Sequence, residues 1–346
     1  MGVRAAETNA PKNWGMAALK GFATTLTFAL VAMSAMGADW LTIPGAAGGP
    51  GGGKRIVLVS GDEEYRSEQA LPQLARILAR HGFQCTVLFA INPADGAIDP
   101  NRNDNIPGVE ALDTADLMVL FTRWRDLPDS QMKHIVDYVE SGRPIVGIRT
   151  ATHAFDLKSS PTYARYSWNS KEWEGGFGRH VLGETWIAHH GKHGVQSTRG
   201  VVVQGRERHP ILRGIAPGDI WVPTDVYKVR LPLSEGSEPV ILGQVVEGMK
   251  PSDPPVEGAQ NHPMMPVAWT RSYRGGRVFT TTMGSAQDLL NDGFRRLLLN
   301  ACYWAVGLEA RIDPHSNVAL SGTYEPLPFG IGGAAKGVKP PDLTNR

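Results

Sequence analysis

The chain has 346 residues, 42% of them hydrophobic and 20% charged, with a formal net charge of +1. That is an ordinary globular composition, long enough for one large α/β domain or two small ones. The near-neutral balance argues against nucleic acid as a partner, because phosphate binding demands a basic excess.

At the N-terminus Arg4, Lys12 and Lys20 precede the apolar run Gly21 to Val31 and the small residues Ala32 to Ala38. Positive, then apolar, then small is the order of a secretory signal, with Ala35-Met36-Gly37 as a cleavage site. Residues 1–38 are therefore expected to be a signal peptide, giving a periplasmic or secreted protein; an uncleaved anchor with N-terminal membrane association is the alternative. Residues 39–53, Gly-rich, read as a flexible linker. Residues 54–310 form the expected folded domain and residues 311–346 an extended tail, either a surface wrap or disordered. Cys85 and Cys302 fall in a predicted strand and a predicted helix, where buried thiols acting as small hydrophobes are expected.

Lys54 to Gly61 reads as a first central strand, followed by the polar loop Asp62-Glu63-Glu64-Tyr65-Arg66-Ser67. A helix is predicted from Ser67 to His81, with Leu71, Leu74, Ile77 and Leu78 on one face and Gly82 ending it. Gln84 to Phe89 and Leu117 to Phe121 are further strands. Asp129 is the expected N-cap of a helix over Ser130 to Glu140. Pro144 to Ile148 is a fourth strand. Strands alternating with amphipathic helices predict an α/β fold, an open, mostly parallel sheet with helices on both faces. Beyond His153 the periodicity weakens, and Ser159 to His193 reads as a long ordered loop with a short helix, of the kind that carries function. Gly200 to Gln204, Val240 to Val246, Pro266 to Thr270 and Arg277 to Thr281 are later strands, and a final helix spans Gly293 to Val306.

Ligands in such sheets bind beyond the carboxyl ends of the strands, so the residues leaving the fourth strand matter most. They are Gly147-Ile148-Arg149-Thr150-Ala151-Thr152-His153. A nucleophile elbow needs Ser or Cys at this turn, and the residue here is Arg149. Arg149 can clamp an oxygen-rich ligand through its planar fork, or pair internally with Asp62, Glu63 or Glu64. His153 can act as a general base or cap the helix that follows. Asp62, Glu63 and Glu64, with Tyr65 and Arg66, can supply an acid and a base, bind a cation, or form a solvated loop.

The densest set of ligating side chains is His189-His190-Gly191-Lys192-His193. His189 and His193 have the spacing to share a divalent metal on one helix face, while Gly191 and Gly194 argue against a regular helix. Substrate binding, proton transfer and structural hydrogen bonding are the other readings. Trp124 and Trp186 fall with other aromatics in loops, where rings beside polar groups suit the apolar faces of sugars. Acids occupy the positions where a nucleotide-binding turn needs small residues, which disfavours dinucleotides and ATP.

Gly61-Asp62-Glu63-Glu64-Tyr65-Arg66-Ser67-Glu68 and Gly147 to Phe155 resemble the trehalose-utilisation (ThuA-like) family. His209 to Ile215, Asp225-Val226-Tyr227, Pro266-Val267-Ala268-Trp269 and Gly276 to Gly284 continue the resemblance in order, across Arg55 to Gly307. It implies a flavodoxin-like fold related to class I glutamine amidotransferases and a role in using disaccharides or their keto derivatives. It also implies that Arg149 stands where amidotransferases carry Cys, and that Arg149 and Ser285 stand where many family members carry His.

The expectation is an exported protein acting on a disaccharide or 3-keto-sugar by acid/base chemistry, with or without a divalent metal and without a Cys or Ser nucleophile. It would be a lyase, isomerase or hydrolase and not a glutamine amidotransferase. His153, His189, His190 and Arg149 are the expected catalytic residues. Asp62, Glu63, Glu64, Tyr65, Arg66, Trp124, Trp186 and Tyr227 are the expected substrate contacts, and His189 and His193 the metal ligands. The alternative is a non-catalytic carbohydrate-binding or accessory protein; hydrolysis would need Cys85 or Ser285 near a histidine. Homo-oligomerisation is left open.

Overall fold

The computed structural model describes residues 1–2 and 39–344. Residues 3–38, which carry the expected signal or anchor, lie outside that range. Among the described residues no helix is long and apolar enough to cross a membrane.

The first five strands are β1 (Trp40–Ile43), β2 (Arg55–Gly61), β3 (Gln84–Leu88), β4 (Leu117–Thr122) and β5 (Ile145–Ile148). Two short strands follow, β6 (Ala188–His189) and, after β7 (Ser197–Val202) and β8 (Trp221–Val222), β9 (Tyr227–Lys228). The long hairpin strands are β10 (Glu238–Val246), β11 (Met265–Tyr273) and β12 (Gly276–Thr281). Ten of the twelve form one sheet in the order β1-β3-β2-β4-β5-β12-β11-β10-β7-β8, and β6 pairs with β9 in a separate ribbon. The centre, β3-β2-β4-β5-β12, is parallel, and antiparallel strands extend it at both ends.

Helices α1 (Ser67–Arg80) and α3 (Asp292–Ala305) cover one face and α2 (Asp129–Glu140) the other. Strand alternation feeds both layers: Ile56 and Leu58 of β2 join the first core, Val57 and Val59 the second. The expected open α/β architecture with helices on both faces is what the chain adopts. The Asp129 cap is not. Asp129 is the first residue of α2, its carboxylate accepts from Ser160 and Thr162, and Pro128 occupies the cap position.

Residues 39–53 differ from a flexible linker, and residues 311–344 take the surface-wrap form of the tail. Residues 39–53 contribute β1, paired with β3, and then lie on the C-terminal end of α1, where Ala46 N donates to Ala79 O at 2.7 Å and Gly51 N to His81 O at 2.8 Å. Their glycines permit close approach, since a Cβ at Gly45 would stand 2.2 Å from the Gly82 carbonyl oxygen. Residues 311–344 run back over α1 as a strap, bonded by Ile98 N to Val338 O at 2.8 Å and Gly330 N to Glu64 O at 2.7 Å.

Candidate functional site

The carboxyl ends of β2, β4, β5 and β12 lead directly into Asp62, Arg123, Arg149 and Thr282, so one sheet edge collects these side chains. Three residues there, Arg66 (φ 61°), Trp124 (φ 47°) and Arg149 (φ 48°), hold left-handed backbone without being glycine. Each such residue costs on the order of 1–3 kcal/mol, and such strain gathers at functional sites.

Arg149 is fully buried and faces Asp225 on the far side of the cleft floor. Its Nη2 donates to Asp225 Oδ1 at 2.8 Å and to the Tyr65 hydroxyl at 3.1 Å; its Nη1 donates to the carbonyls of Asp225 and Thr282, both at 2.7 Å. The guanidinium also sits 3.7 Å from the Tyr227 ring centre and 4.4 Å from that of Tyr65. Arg149 is thus paired internally, but with Asp225 and not with Asp62, Glu63 or Glu64. With both terminal nitrogens bonded to the protein, it acts on the site through Asp225 and does not clamp a ligand.

Asp225 carries two imidazoles. His189 Nδ1 lies 2.8 Å from Oδ2 and His193 Nδ1 lies 3.2 Å from Oδ1. Burial by itself would raise the Asp225 carboxyl, but the Arg149 charge and the hydrogen bonds from His189 and His193 outweigh it and hold the group well below the usual carboxylate range. On its other side His193 Nε2 reaches Glu64 Oε1 at 3.3 Å. The two histidine side chains keep 36% and 31% of their surface, while Asp225 has none, so the imidazoles are the reachable part of the group. One donor atom each from His189, His193 and Asp225 fall within 4.8 Å of one another.

Strand geometry explains which histidines converge. His189 pairs opposite Tyr227 in the β6–β9 ribbon. His190, the residue after β6, faces away from Asp225, and its Nε2 meets the Gln260 carbonyl at 2.7 Å. The turn after Gly191 returns His193 to the His189 side, with ring centres 4.8 Å apart. The pair therefore meets through a strand and a turn, not along a helix, and His190 is not part of the group. Gly191 is needed for the closeness, because a Cβ there would lie 3.2 Å from that of Asp225.

The acidic loop divides by role. Asp62 is buried and spent on structure: its oxygens accept from the amides of Glu64 at 2.8 Å and of Tyr65, and from Thr150 Oγ1 at 2.5 Å. Glu63 bridges Arg123 at 2.6 Å and Arg125 at 2.9 Å. Burial, then the Asp62 charge, raises its carboxyl, and the two arginines offset this only in part. Arg66 holds the C-terminal strap through the Gly330 carbonyl at 2.5 Å. Glu64 and Tyr65 are the loop members that touch the histidine group.

His153 is buried, with Nδ1 3.2 Å from Thr152 Oγ1. Burial, reinforced by the charges of Arg123 and Arg149, pushes its imidazole well below the ordinary value, so it is neutral. Its ring belongs to an aromatic wall, 5.1 Å from Trp186, 5.5 Å from Trp124 and 6.0 Å from Tyr227. Trp168 joins at 6.0 Å from Trp124 and 6.2 Å from Trp186, and a depression of about 310 Å³ opens on the Trp168 and Trp186 side.

Cys85 and Cys302 are buried free thiols whose ionisation burial pushes far up. Ser285 Oγ donates to Asp288 at 2.8 Å and has no histidine partner among the described residues. The sequence reading missed Asp225 as the centre of the site and Phe329 as its neighbour. The first stood in the Asp225-Val226-Tyr227 motif; the second lay in the tail, where nothing local marks it.

The model of the family described as trehalose utilisation (ThuA) matches residues 55–305. Two solved structures are similar. A ThuA-like protein from Bacteroides uniformis shares 16% identity over 78% of this chain and 97% of its own, with a TM-score of 0.48. A ThuA-like protein from Parabacteroides merdae shares 15% identity over 73% of this chain and 90% of its own, with a TM-score of 0.46. No curated protein matches the sequence. The chain belongs to the trehalose-utilisation (ThuA) family.

Proposed function

We propose that this chain is a carbohydrate-utilisation enzyme acting on a disaccharide or 3-keto-sugar through His189, Asp225 and His193, without a covalent nucleophile. Family membership supports the carbohydrate role. The observation that carries the chemistry is the pair of reachable imidazoles bonded to one buried carboxylate that Arg149 keeps ionised. Asp225 accepts the Nδ1–H of His189, which fixes the tautomer and leaves Nε2 as the base for a proton next to a sugar carbonyl. His193, whose Nδ1 faces Asp225 and whose Nε2 faces Glu64, supplies an N–H to the oxygen that becomes negative by exchanging its Glu64 contact for that oxygen. Trp124, Trp186 and the rings around His153 offer stacking surface for the sugar's apolar face.

The same three residues suit a divalent cation, which would polarise the carbonyl as a Lewis acid. Two imidazole nitrogens and a carboxylate are a donor set for zinc or manganese, and the hydrogen bonds to Asp225 would give way to coordination.

The experiment is to incubate folded protein with 3-keto-trehalose and 3-keto-glucosides, with and without added zinc or manganese, and to follow the sugars by NMR. Turnover is expected. Saturable sugar binding with no turnover under either condition would instead assign the chain to the non-catalytic class.

A further inference from the structure

The strap of residues 311–344 lies beyond the stretch that the family model matches, yet it reaches the site. Tyr324 OH donates to the Ala286 carbonyl at 2.8 Å and Leu327 N to Gln69 Oε1 at 2.9 Å. At Gly330 the strap is held from both directions, its N donating to Glu64 O at 2.7 Å and its O accepting from Arg66 Nη2 at 2.5 Å. The clamp uses the backbone of the loop that carries Glu64 and Tyr65, so strap and site loop are fixed to each other. Gly333 rests on the same arginine, where a Cβ would lie 2.2 Å from Nη2.

Phe329, one residue before this clamp, is set between two members of the site. Its ring centre is 5.3 Å from His193 and 5.8 Å from Tyr65. Tyr65 bonds Arg149 and His193 bonds Asp225, so Phe329 packs on the Tyr65 and His193 end of the group, while Trp186 packs on His189 with ring centres 6.0 Å apart. The His193 ring lies against both Phe329 and His189, with centres 5.3 Å and 4.8 Å away.

We propose that Phe329 is a specificity-determining residue: it ends the ligand site at His193 and restricts it to short saccharides. The proposal rests on the carbohydrate reading above. An apolar ring beside the reacting groups excludes water and offers no hydrogen bond to a further sugar unit, which would leave that unit's hydroxyls unpaired. Specificity of this kind belongs to the strap and not to the shared domain.

Two measurements on the full-length chain test this, comparing the wild type with Phe329→Ala and with Phe329→Leu. The first is the rate at which diethyl pyrocarbonate modifies His193, read by peptide mass spectrometry; it needs no sugar and no activity. Phe329→Ala is expected to raise it several-fold, and Phe329→Leu, which keeps most of the cover, to leave it near wild type. The second is tryptophan fluorescence titration with trehalose and with maltotriose. Phe329→Ala should shift the preference toward maltotriose by roughly tenfold, a typical change for one hydrophobic wall. Equal His193 reactivity together with unchanged preference would overturn the proposal. Faster His193 modification with neither sugar bound by any of the three proteins would instead remove the carbohydrate reading and the specificity role with it.

Discussion

The guanidinium of Arg149 and the carboxylate of Asp225 meet at 2.8 Å with neither side chain exposed, on residues 76 apart in sequence. This pair joins the turn after β5 to the ribbon that carries His189, and so sets the charge beneath both imidazoles. Removing one partner leaves the other as an uncompensated buried charge. Arg149→Met or Asp225→Leu alone should cost about 3–5 kcal/mol, and the double variant Arg149→Met/Asp225→Leu should recover much of that loss. Urea unfolding of the four proteins measures it; additive single effects would show that the pair is not coupled.

The same pair sets a response to acid. Asp225 is depressed below its ordinary value of 3.8, so its contribution is fully present above that pH and is lost as pH falls through the lower folded value. Wild-type stability should decline in that acid window, and the decline should be shallower in Asp225→Asn, measured by thermal melts at pH 2 to 5.

Glu68 gives a response of the opposite sign. Both its carboxylate oxygens are buried without a partner, and burial raises the group from 4.5 to about 7. The folded state then holds a proton that the unfolded state releases, so stability is full below 4.5 and falls as pH rises to about 7. The loss should reach about 3 kcal/mol. Glu68→Gln should match the wild type at pH 4 and exceed it at pH 8; parallel melting curves across that range would refute the assignment.

His189 and His190 are neighbours with different fates. His190→Ala gives up one hydrogen bond to the Gln260 carbonyl and should cost about 1 kcal/mol with turnover retained. His193→Ala removes a cation ligand, and calorimetric zinc or manganese titration should show binding in the wild type and its loss in this variant. Equal binding by both would exclude the His193 site.

Much of the fold was legible because apolar runs and helical periodicity are local signals. β2 to β5, α1, α2 and α3 all follow from them. β1 was not, because four residues beside a Gly-rich stretch show no pattern until β3 supplies a partner. The site was legible in part. The acidic loop, Arg149 and the histidines could be named from chemistry, since their residue types carry it. Their partners could not: Arg149 was read as a ligand clamp or as a partner of the acids at its own sheet edge, but those are taken by Arg123, Arg125 and the backbone, and Asp225 arrives from the segment just before β9. His190 shares the chemistry of His189 but faces away from Asp225. Phe329 could not be found locally, because what places it is the Arg66 side chain holding the Gly330 carbonyl from 264 residues away.

The most direct test is the rate of 3-keto-glucoside conversion, followed by NMR, in wild type and His189→Gln of equal melting temperature. The account predicts turnover by the wild type and a fall of roughly 10²–10⁴-fold in the variant, the usual worth of a positioned acid/base group. Equal rates in the two proteins would contradict it.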